Sequence, residues 1–273
     1  MKIDRDTICC VSIAERPGNL GAAIFNAAFQ ELNLNYVYKP FCVFAKDLQK
    51  AINGMRAFGI RGCGVSMPHK STVMQYLDKI DEAAKRIGAV NTIVNDDGVL
   101  SGYNTDYVGF KRALAESYAV CRKKAFIIGA GGAARAIIVA LKDGGAAEIY
   151  LTNRDEQKGL DLAKEFSLHY YPFDKRAELS ADILVNATPV GMAPNAEELI
   201  IDKQVLVHYH ACMDVVVSPR KTGLILAAEA AGKIAIHGVK MALYQGLSQY
   251  ELYTKLSAPI DILQKSMQKY LNN

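Results

Sequence analysis

The sequence predicts an α/β protein with two domains, and three observations lead to this class. The chain has 273 residues, which suits two domains of about 150 residues each. Short apolar runs typical of buried strands alternate with longer segments of helical period. From Met241 onward the pattern is helical with no strand after it, so we expect this tail to pack back on the first domain.

The first hundred residues combine strands, helices and one hairpin. The dipeptide Asp97-Gly98 separates two strand patterns and is typical of a tight hairpin turn. In chain order the sequence predicts a strand at 7–13, a helix at 20–32, a strand at 36–41, a helix at 46–58, a strand at 62–66, a helix from near Pro68, and hairpin strands at 91–95 and 99–103. A helix at 106–117 then leads into the second domain.

The second domain shows a regular alternation of strands and helices. Strands are predicted at 124–128, 148–152, 169–171, 183–186, 211–216 and 233–237. This alternation favours a mostly parallel sheet with helices on both faces.

The connection between the first two of these strands is a glycine turn. Gly129 permits a tight turn out of the strand, Gly131 lets the backbone approach a pyrophosphate, and Ala134 keeps the next helix close to the sheet. The helix N-terminus offers free N–H groups to phosphates. The G-x-G-x-x-A motif in this context predicts a Rossmann-type doubly wound nucleotide domain, whose cofactor contacts include Gly129, Ala130, Gly131, Gly132 and Ala133.

The end of the next strand indicates which dinucleotide is used. An NAD site usually has Asp or Glu there to accept from the ribose, but this chain has Asn153-Arg154. A guanidinium cannot accept a hydrogen bond, whereas it suits a 2′-phosphate, so we predict NADP. Asp155 keeps NAD open, because its carboxylate would repel a phosphate if it faced the site.

Composition excludes several classes of function. The chain is 51% hydrophobic and 22% charged with a net charge of +4, and without a basic run interleaved with aromatics we expect no nucleic-acid partner. No stretch approaches the ~20 apolar residues of a membrane span, and the N-terminus lacks a signal-peptide pattern. The six cysteines form no C-x-x-C pair, which favours reduced thiols in a cytoplasm. His208 and His210 have no further ligands nearby in the sequence, so we predict no metal site.

Several motifs outside the glycine turn follow one another in a particular order. They are Gly64-Val65-Ser66-Met67-Pro68-His69-Lys70, Ala89-Val90-Asn91-Thr92, Asn104-Thr105-Asp106, Asn153-Arg154, Asn186 to Met192, and Gly238 through Met241 to Gln245. In order and spacing they resemble the shikimate dehydrogenase family over nearly the whole chain.

The resemblance implies an NADP-linked interconversion of shikimate and 3-dehydroshikimate, or of a close cyclic hydroxy acid. It implies a substrate-binding catalytic domain at 1–103 and 239–273 and an NADP-binding Rossmann domain at 104–238, in a monomer or homodimer. The implied catalytic pair is Lys70 and Asp106. The implied substrate contacts are Asn19, Gly21, Ser66, Asn91 and Gln245, and the implied further cofactor contacts are Asn153, Arg154, Thr188, Met192 and Gly238.

The chemistry of Lys70 and Asp106 also suits this reaction without reference to the family. Oxidising a secondary alcohol needs a hydride acceptor and a group that takes the hydroxyl proton, and a lysine beside a carboxylate suits the second task. Which of Lys70 and Asp106 accepts the proton stays open, because a coupled pair titrates as a unit. A structural salt bridge between them is the alternative.

The chain departs from the family pattern at the end that binds the substrate carboxylate. Asn19 and Gly21 stand where the family has two serines, Phe25 replaces a histidine, and Gly64 and Val217 replace an asparagine and a tyrosine. A shifted alignment would instead leave Ser12 as the carboxylate contact. These changes resemble the divergent, shikimate dehydrogenase-like branch. Asp155 keeps open a quinate or aminoshikimate dehydrogenase that uses NAD(P), and with less support a non-catalytic sensor on the same fold is the further alternative.

Overall fold

The computed structural model describes residues 3–272 and divides into two compact units. Met1, Lys2 and Asn273, which the predicted domains include, lie outside the described residues. The first unit contains the described residues up to Thr105 together with those from Gln245 on, and the second unit is Asp106–Tyr244. None of the helices within residues 3–272 is long and apolar enough to cross a membrane.

A six-stranded sheet forms the centre of the first unit, in the order β2-β1-β3-β5-β6-β4. β1 runs parallel to β2 and β3, whereas β5 runs antiparallel to β3 and β6. The strands are β1 (Ile8–Ala14), β2 (Tyr36–Cys42), β3 (Gly62–Val65), β4 (Lys79–Ile80), β5 (Thr92–Asp96) and β6 (Val99–Tyr103), and the helices among them are α1 (Leu20–Glu31), α2 (Leu48–Ala57) and α3 (Glu82–Ile87).

Helical periodicity explains how α2 covers this sheet. Leu48, Ile52 and Met55 lie at helical spacing on one face and pack into the same buried cluster as Val11 and Cys63. The predicted hairpin is also confirmed. Asp97 and Gly98 have φ values of +52° and +90°, the left-handed conformation that a two-residue hairpin turn requires.

The helix predicted from near Pro68 is wrong. The segment after β3 forms a turn, and then a short 3-10 helix at Thr72–Tyr76. The carbonyl oxygen of Lys70 accepts a hydrogen bond from the Val90 backbone N–H at 2.8 Å. The Met74 N–H donates to the Ser71 carbonyl oxygen at 3.3 Å, which is 3-10 spacing, whereas an α-helix would have it donate to Lys70.

The second unit has an all-parallel, six-stranded sheet in the order β12-β11-β10-β7-β8-β9. Its strands are β7 (Lys124–Ile128), β8 (Glu148–Thr152), β9 (His169–Tyr170), β10 (Ile183–Asn186), β11 (Ala211–Asp214) and β12 (Ile234–Ile236), and its helices include α4 (Thr105–Ala115), α5 (Gly132–Asp143), α6 (Glu156–Glu165) and α7 (Gly223–Ala230). The strand order reverses at β7, which lies between β8 and β10. Ligands of doubly wound sheets bind at the carboxyl ends of the strands at such a reversal.

The C-terminal tail forms two helices, α8 (Gly238–Thr254) and α9 (Ile260–Leu271). From Gln245 onward the chain belongs to the first unit, where α9 packs against α1. The prediction of a helical tail that returns to the first domain is therefore confirmed.

Candidate active site

The glycine turn between β7 and α5 has the geometry of a phosphate-binding loop. Gly129 has φ +119°, and a Cβ on it would lie 2.9 Å from the Ala187 carbonyl oxygen, so only glycine fits. Gly131 is the N-cap of α5, and no atom lies within 4 Å of the position its Cβ would take. This open space at a helix N-terminus fits a pyrophosphate that approaches the backbone.

The segment after β8 supports the glycine turn and determines where Asp155 points. Asn153 Oδ1 accepts from Ala130 N at 3.2 Å, and Asn153 Nδ2 donates to the Asp155 carbonyl oxygen at 2.8 Å. Asp155 caps α6, with Oδ1 accepting from Lys158 N at 3.1 Å. Its carboxylate is therefore engaged by its own helix, whereas Arg154 is exposed.

A buried polar network holds Thr188 beside the glycine turn. The Asp214 carboxylate accepts from Asn186 Nδ2 at 3.1 Å and from Thr222 Oγ1 at 2.7 Å, and Asn186 Oδ1 accepts from Thr188 Oγ1 at 2.6 Å. Burial raises the pKa of Asp214, and these hydrogen bonds partly offset that effect. Thr188 Cγ2 would lie 2.9 Å from a Cβ on Gly129. The structure thus brings together two of the residues predicted for the cofactor.

Two other predicted cofactor residues have different surroundings. A Cβ on Gly238 would lie 2.3 Å from the Val216 carbonyl oxygen, so close packing alone requires glycine there. Met192 is exposed, at 43% of its full area. Contact of Gly238 and Met192 with a cofactor stays a prediction.

In the first unit, backbone hydrogen bonds join the segments that carry Lys70 and Asn91. Val90 N donates to the Lys70 carbonyl oxygen at 2.8 Å, and Val65 N donates to the Asn91 carbonyl oxygen at 2.7 Å. His69, directly before Lys70, is buried with ring nitrogen Nε2 2.8 Å from the Val43 carbonyl oxygen. The half-buried Lys70 is therefore carried by a backbone that is held on both sides.

Asn91 has a buried amide with one unsatisfied end. The residue is 2% exposed, and its Oδ1 accepts from Thr105 N at 2.7 Å. Its Nδ2 has no hydrogen-bond partner among the residues that the structure describes. A buried donor without a partner is costly, and a bound ligand is one way to satisfy it.

The remaining predicted residues differ in their positions. Asp106 is buried, at 3% exposure, in the first turn of α4, and it belongs to the second unit, whereas Lys70 belongs to the first. Their pairing stays a prediction. In the first unit Ser66 and Asn19 are exposed, and Asn19 is the N-cap residue of α1 without a side-chain cap bond. Gln245 lies in α8, where this helix enters the first unit.

Three departures from the family pattern contact one side chain, Tyr38 of β2. A Cβ on Gly21 would lie 3.0 Å from Tyr38 Cε1, and one on Gly64 would lie 2.9 Å from the Tyr38 hydroxyl oxygen. The rings of Phe25 and Tyr38 have centroids 4.9 Å apart. Burial raises the pKa of Tyr38, whose hydroxyl is hydrogen-bonded to Ser12, so the phenol stays protonated. The phenol therefore occupies space that side chains at 21 and 64 would need.

This contact predicts that residues 38 and 64 are energetically coupled. We expect Gly64→Ala to lower the free energy of unfolding by about 1–3 kcal/mol, because the new methyl group would meet the Tyr38 hydroxyl. In a Tyr38→Phe background the same change should cost less, since that oxygen is absent. Urea unfolding of the four proteins measures the coupling. Gly18→Ala, with open space around it, is the control, and equal costs in both backgrounds would contradict the prediction.

Sequence reasoning did not single out Tyr38, although it identified Gly21 and Gly64. No local pattern relates positions 21, 38 and 64. Positions 38 and 64 lie on β2 and β3, which both pair with β1, and position 21 reaches them through the packing of α1 against β2. For the metal prediction, His210 Nδ1 lies 3.2 Å from Asp182 Oδ1. Across residues 3–272 no cluster of three or more His, Cys, Asp or Glu side chains is arranged to hold a metal ion.

Comparisons with known proteins give one family. Residues 19–93 match the family model described as the shikimate dehydrogenase substrate binding domain, and residues 112–219 match that of shikimate / quinate 5-dehydrogenase. Shikimate dehydrogenase (NADP(+)) of Desulforamulus reducens is 39% identical over 260 residues, which cover 90% of this chain and 89% of that protein. A shikimate dehydrogenase-like protein of Haemophilus influenzae is 39% identical over 254 residues, with 92% of each chain covered. A crystal structure of a shikimate dehydrogenase in complex with NADP+ superimposes with a TM-score of 0.91 at 34% identity, covering 100% of this chain and 98% of the other.

Proposed function

Because the chain belongs to the shikimate dehydrogenase family, we propose that it interconverts shikimate and 3-dehydroshikimate with NADP. Residues 1–103 and 239–273 would bind the substrate, and residues 104–238 the cofactor. The relatives named shikimate dehydrogenase (NADP(+)) and the glycine turn of the second unit both support this proposal.

The observation that carries the proposal is the arrangement around Asn91. Backbone pairing holds the Lys70 segment beside Val90, and Asn91 N donates to the Tyr103 carbonyl oxygen at 3.0 Å, two residues before Thr105. The segment of Lys70, the motif of Asn91 and Thr105 thus meet in the first unit around an amide whose Nδ2 has no hydrogen-bond partner among the described residues. A ring hydroxyl of a cyclic hydroxy acid satisfies such a donor.

Each residue has a distinct role in the proposed reaction. Bound NADP+ would supply the acceptor for the hydride that leaves the carbon bearing the reacting hydroxyl. Lys70 and Asp106 together receive the hydroxyl proton and return it in the reverse direction. The substrate ring would be oriented by the side chains of Asn91, Gln245, Ser66 and Asn19 and by the backbone at Gly21. In the nucleotide unit, Gly129, Gly131 and Gly132 would hold the pyrophosphate, and Thr188, Met192 and Gly238 would lie towards the nicotinamide.

Arg154 is proposed to contact the 2′-phosphate, and the capping role of Asp155 supports a preference for NADP. We expect Arg154→Ala to raise the Kd for NADP by about 10- to 150-fold, as loss of one charge-assisted hydrogen bond predicts, with little change for NAD. Fluorescence titration with both reduced cofactors measures this. Lys164→Ala, which removes an exposed cation from α6, is the control. Equal losses for the two cofactors would remove Arg154 from the phosphate site.

Quinate is the second candidate substrate, because the residues that differ from the family at the carboxylate end, Gly21, Phe25 and Gly64, all lie against Tyr38. The hydroxyl groups of Tyr38 and Ser12 are donors that lie near the positions where the family has a serine and an asparagine. Steady-state rates with shikimate, quinate and related cyclic hydroxy acids, each with NADP and NAD, test the proposal. A folded protein that binds NADP and oxidises none of them would overturn it.

A further inference from the structure

The amide of Asn91 is held in one orientation by three hydrogen bonds to the same atom. Asn91 Oδ1 accepts from Thr105 N at 2.7 Å, from Thr92 Oγ1 at 2.8 Å and from Thr105 Oγ1 at 3.1 Å. Because a backbone N–H can only donate, the oxygen of this amide must face Thr105. The nitrogen then faces the other way, where it is buried and has no hydrogen-bond partner among the described residues.

Gln249 of α8 gives this hydrogen-bond chain its direction. Its side-chain Nε2 donates to Thr92 Oγ1 at 3.0 Å and lies 3.4 Å from the Asn91 carbonyl oxygen. With the Thr92 oxygen accepting from Gln249, the Thr92 proton is directed to an acceptor, and Asn91 Oδ1 at 2.8 Å is nearer than Thr105 Oγ1 at 3.1 Å. Hydrogen bonds in such a chain polarise and strengthen one another in a buried site. Both Gln249 and Thr92 are buried, with exposures of 5% and 0%.

We propose that Gln249 is a positioning residue that acts through Thr92 to keep Asn91 a pure hydrogen-bond donor. The site then takes, opposite Asn91, a substrate oxygen that accepts, such as a ring hydroxyl or a carbonyl. It rejects a substrate with an ammonium group at that place, because an ammonium has three donors and no acceptor. The inference rests on the proposed function and narrows its substrate class to hydroxylated rather than aminated ring acids.

Nothing in the motif pattern indicated this role. Gln249 lies one helical turn after Gln245, so the two side chains leave α8 on the same face. Gln245 is the residue that the family resemblance assigns to the substrate. The Gln249 amide instead donates hydrogen bonds to Thr92 and to the Asn91 carbonyl group, so its contribution to substrate binding is indirect.

The test compares two variants that remove the chain with one that keeps it. We expect Gln249→Met and Thr92→Val each to lower kcat/KM for shikimate by about 5- to 150-fold, mainly through KM, with the Kd for NADP unchanged. Both should also reduce the preference for shikimate over analogues in which one ring hydroxyl is replaced by an amine. Thr92→Ser, which retains the hydroxyl, should keep both kcat/KM for shikimate and the preference for shikimate at the values of the parent protein. Gln264→Met, at an exposed glutamine of α9, is the control.

A second readout does not depend on turnover. In the protein without substrate, the side-chain ¹⁵N–H₂ signals of Asn91, assigned by their loss in Asn91→Asp, should be sharp in the parent and in Thr92→Ser. They should broaden or shift in Gln249→Met and Thr92→Val, because the Thr92 hydrogen bond to Oδ1 is weakened or lost and only those from Thr105 remain. If the parent oxidises no cyclic hydroxy acid but its amide signals follow this pattern, the proposed reaction fails and the positioning role stands. If folded Gln249→Met and Thr92→Val keep the parent's selectivity and amide signals, the inference is overturned.

Discussion

Replacing Lys70 with alanine is expected to lower kcat for shikimate oxidation by about 10²- to 10⁴-fold, the usual contribution of a positioned proton-transfer group. The Kd for NADP should stay unchanged, because the glycine turn belongs to a different unit from Lys70. Steady-state kinetics and fluorescence titration with NADPH measure the two quantities separately. Lys46→Ala removes an exposed lysine of the first unit and is the matched control.

The same experiment tests whether Lys70 acts together with Asp106. Groups that act as one unit have non-additive effects, so the double variant Lys70→Ala/Asp106→Asn should be about as slow as the slower single variant. A Lys70→Ala protein that turns over near the wild-type rate would refute the catalytic assignment and leave a structural salt bridge as the better interpretation.

Replacing Gly129 with alanine is expected to lower the free energy of unfolding by about 2–5 kcal/mol and to weaken NADP binding. The left-handed backbone at φ +119° disfavours a side chain, and the new methyl group would lie 2.9 Å from the Ala187 carbonyl oxygen. Urea unfolding measures the first effect, and NADPH titration measures the second.

Gly131→Ala is the informative comparison for that variant. Its backbone is extended, with φ −89°, and no atom lies near the position of the added methyl group. Stability should therefore change little, whereas NADP affinity should fall, because the methyl group occupies space through which the pyrophosphate approaches. Normal NADP binding by Gly131→Ala would remove this glycine from the cofactor site.

Local patterns predicted the elements that their own residue types specify. The Asp97-Gly98 turn has the φ values that its dipeptide requires, and the strands at 124–128, 148–152 and 183–186 occur where they were predicted. The helix predicted from Pro68 failed, because the Lys70 carbonyl group pairs with Val90, twenty residues away. A prediction from helix propensity uses only the local sequence, so it contains no information about a partner twenty residues away.

The residues of the candidate site likewise include some that the sequence identified and some that it did not. The glycine turn was identified from its own spacing, whereas Lys70, Asn91 and Asp106 were identified through the resemblance of their motifs to the family. The role of Asp155 was not identified, because a carboxylate after a strand either faces a ligand or caps the next helix. The structure has it capping α6, with Oδ1 3.1 Å from Lys158 N.

The sequence by itself determined the α/β class, the dinucleotide motif and the family, because each depends on residue types at short, fixed spacings. Only the tertiary structure decided which way the Asn91 amide faces, what surrounds Tyr38, and that Gln249 reaches Thr92. These features join residues separated by 14 to 158 positions in the chain. Hydrogen-bond direction and close packing depend on atoms from several elements at once, and no single segment encodes them.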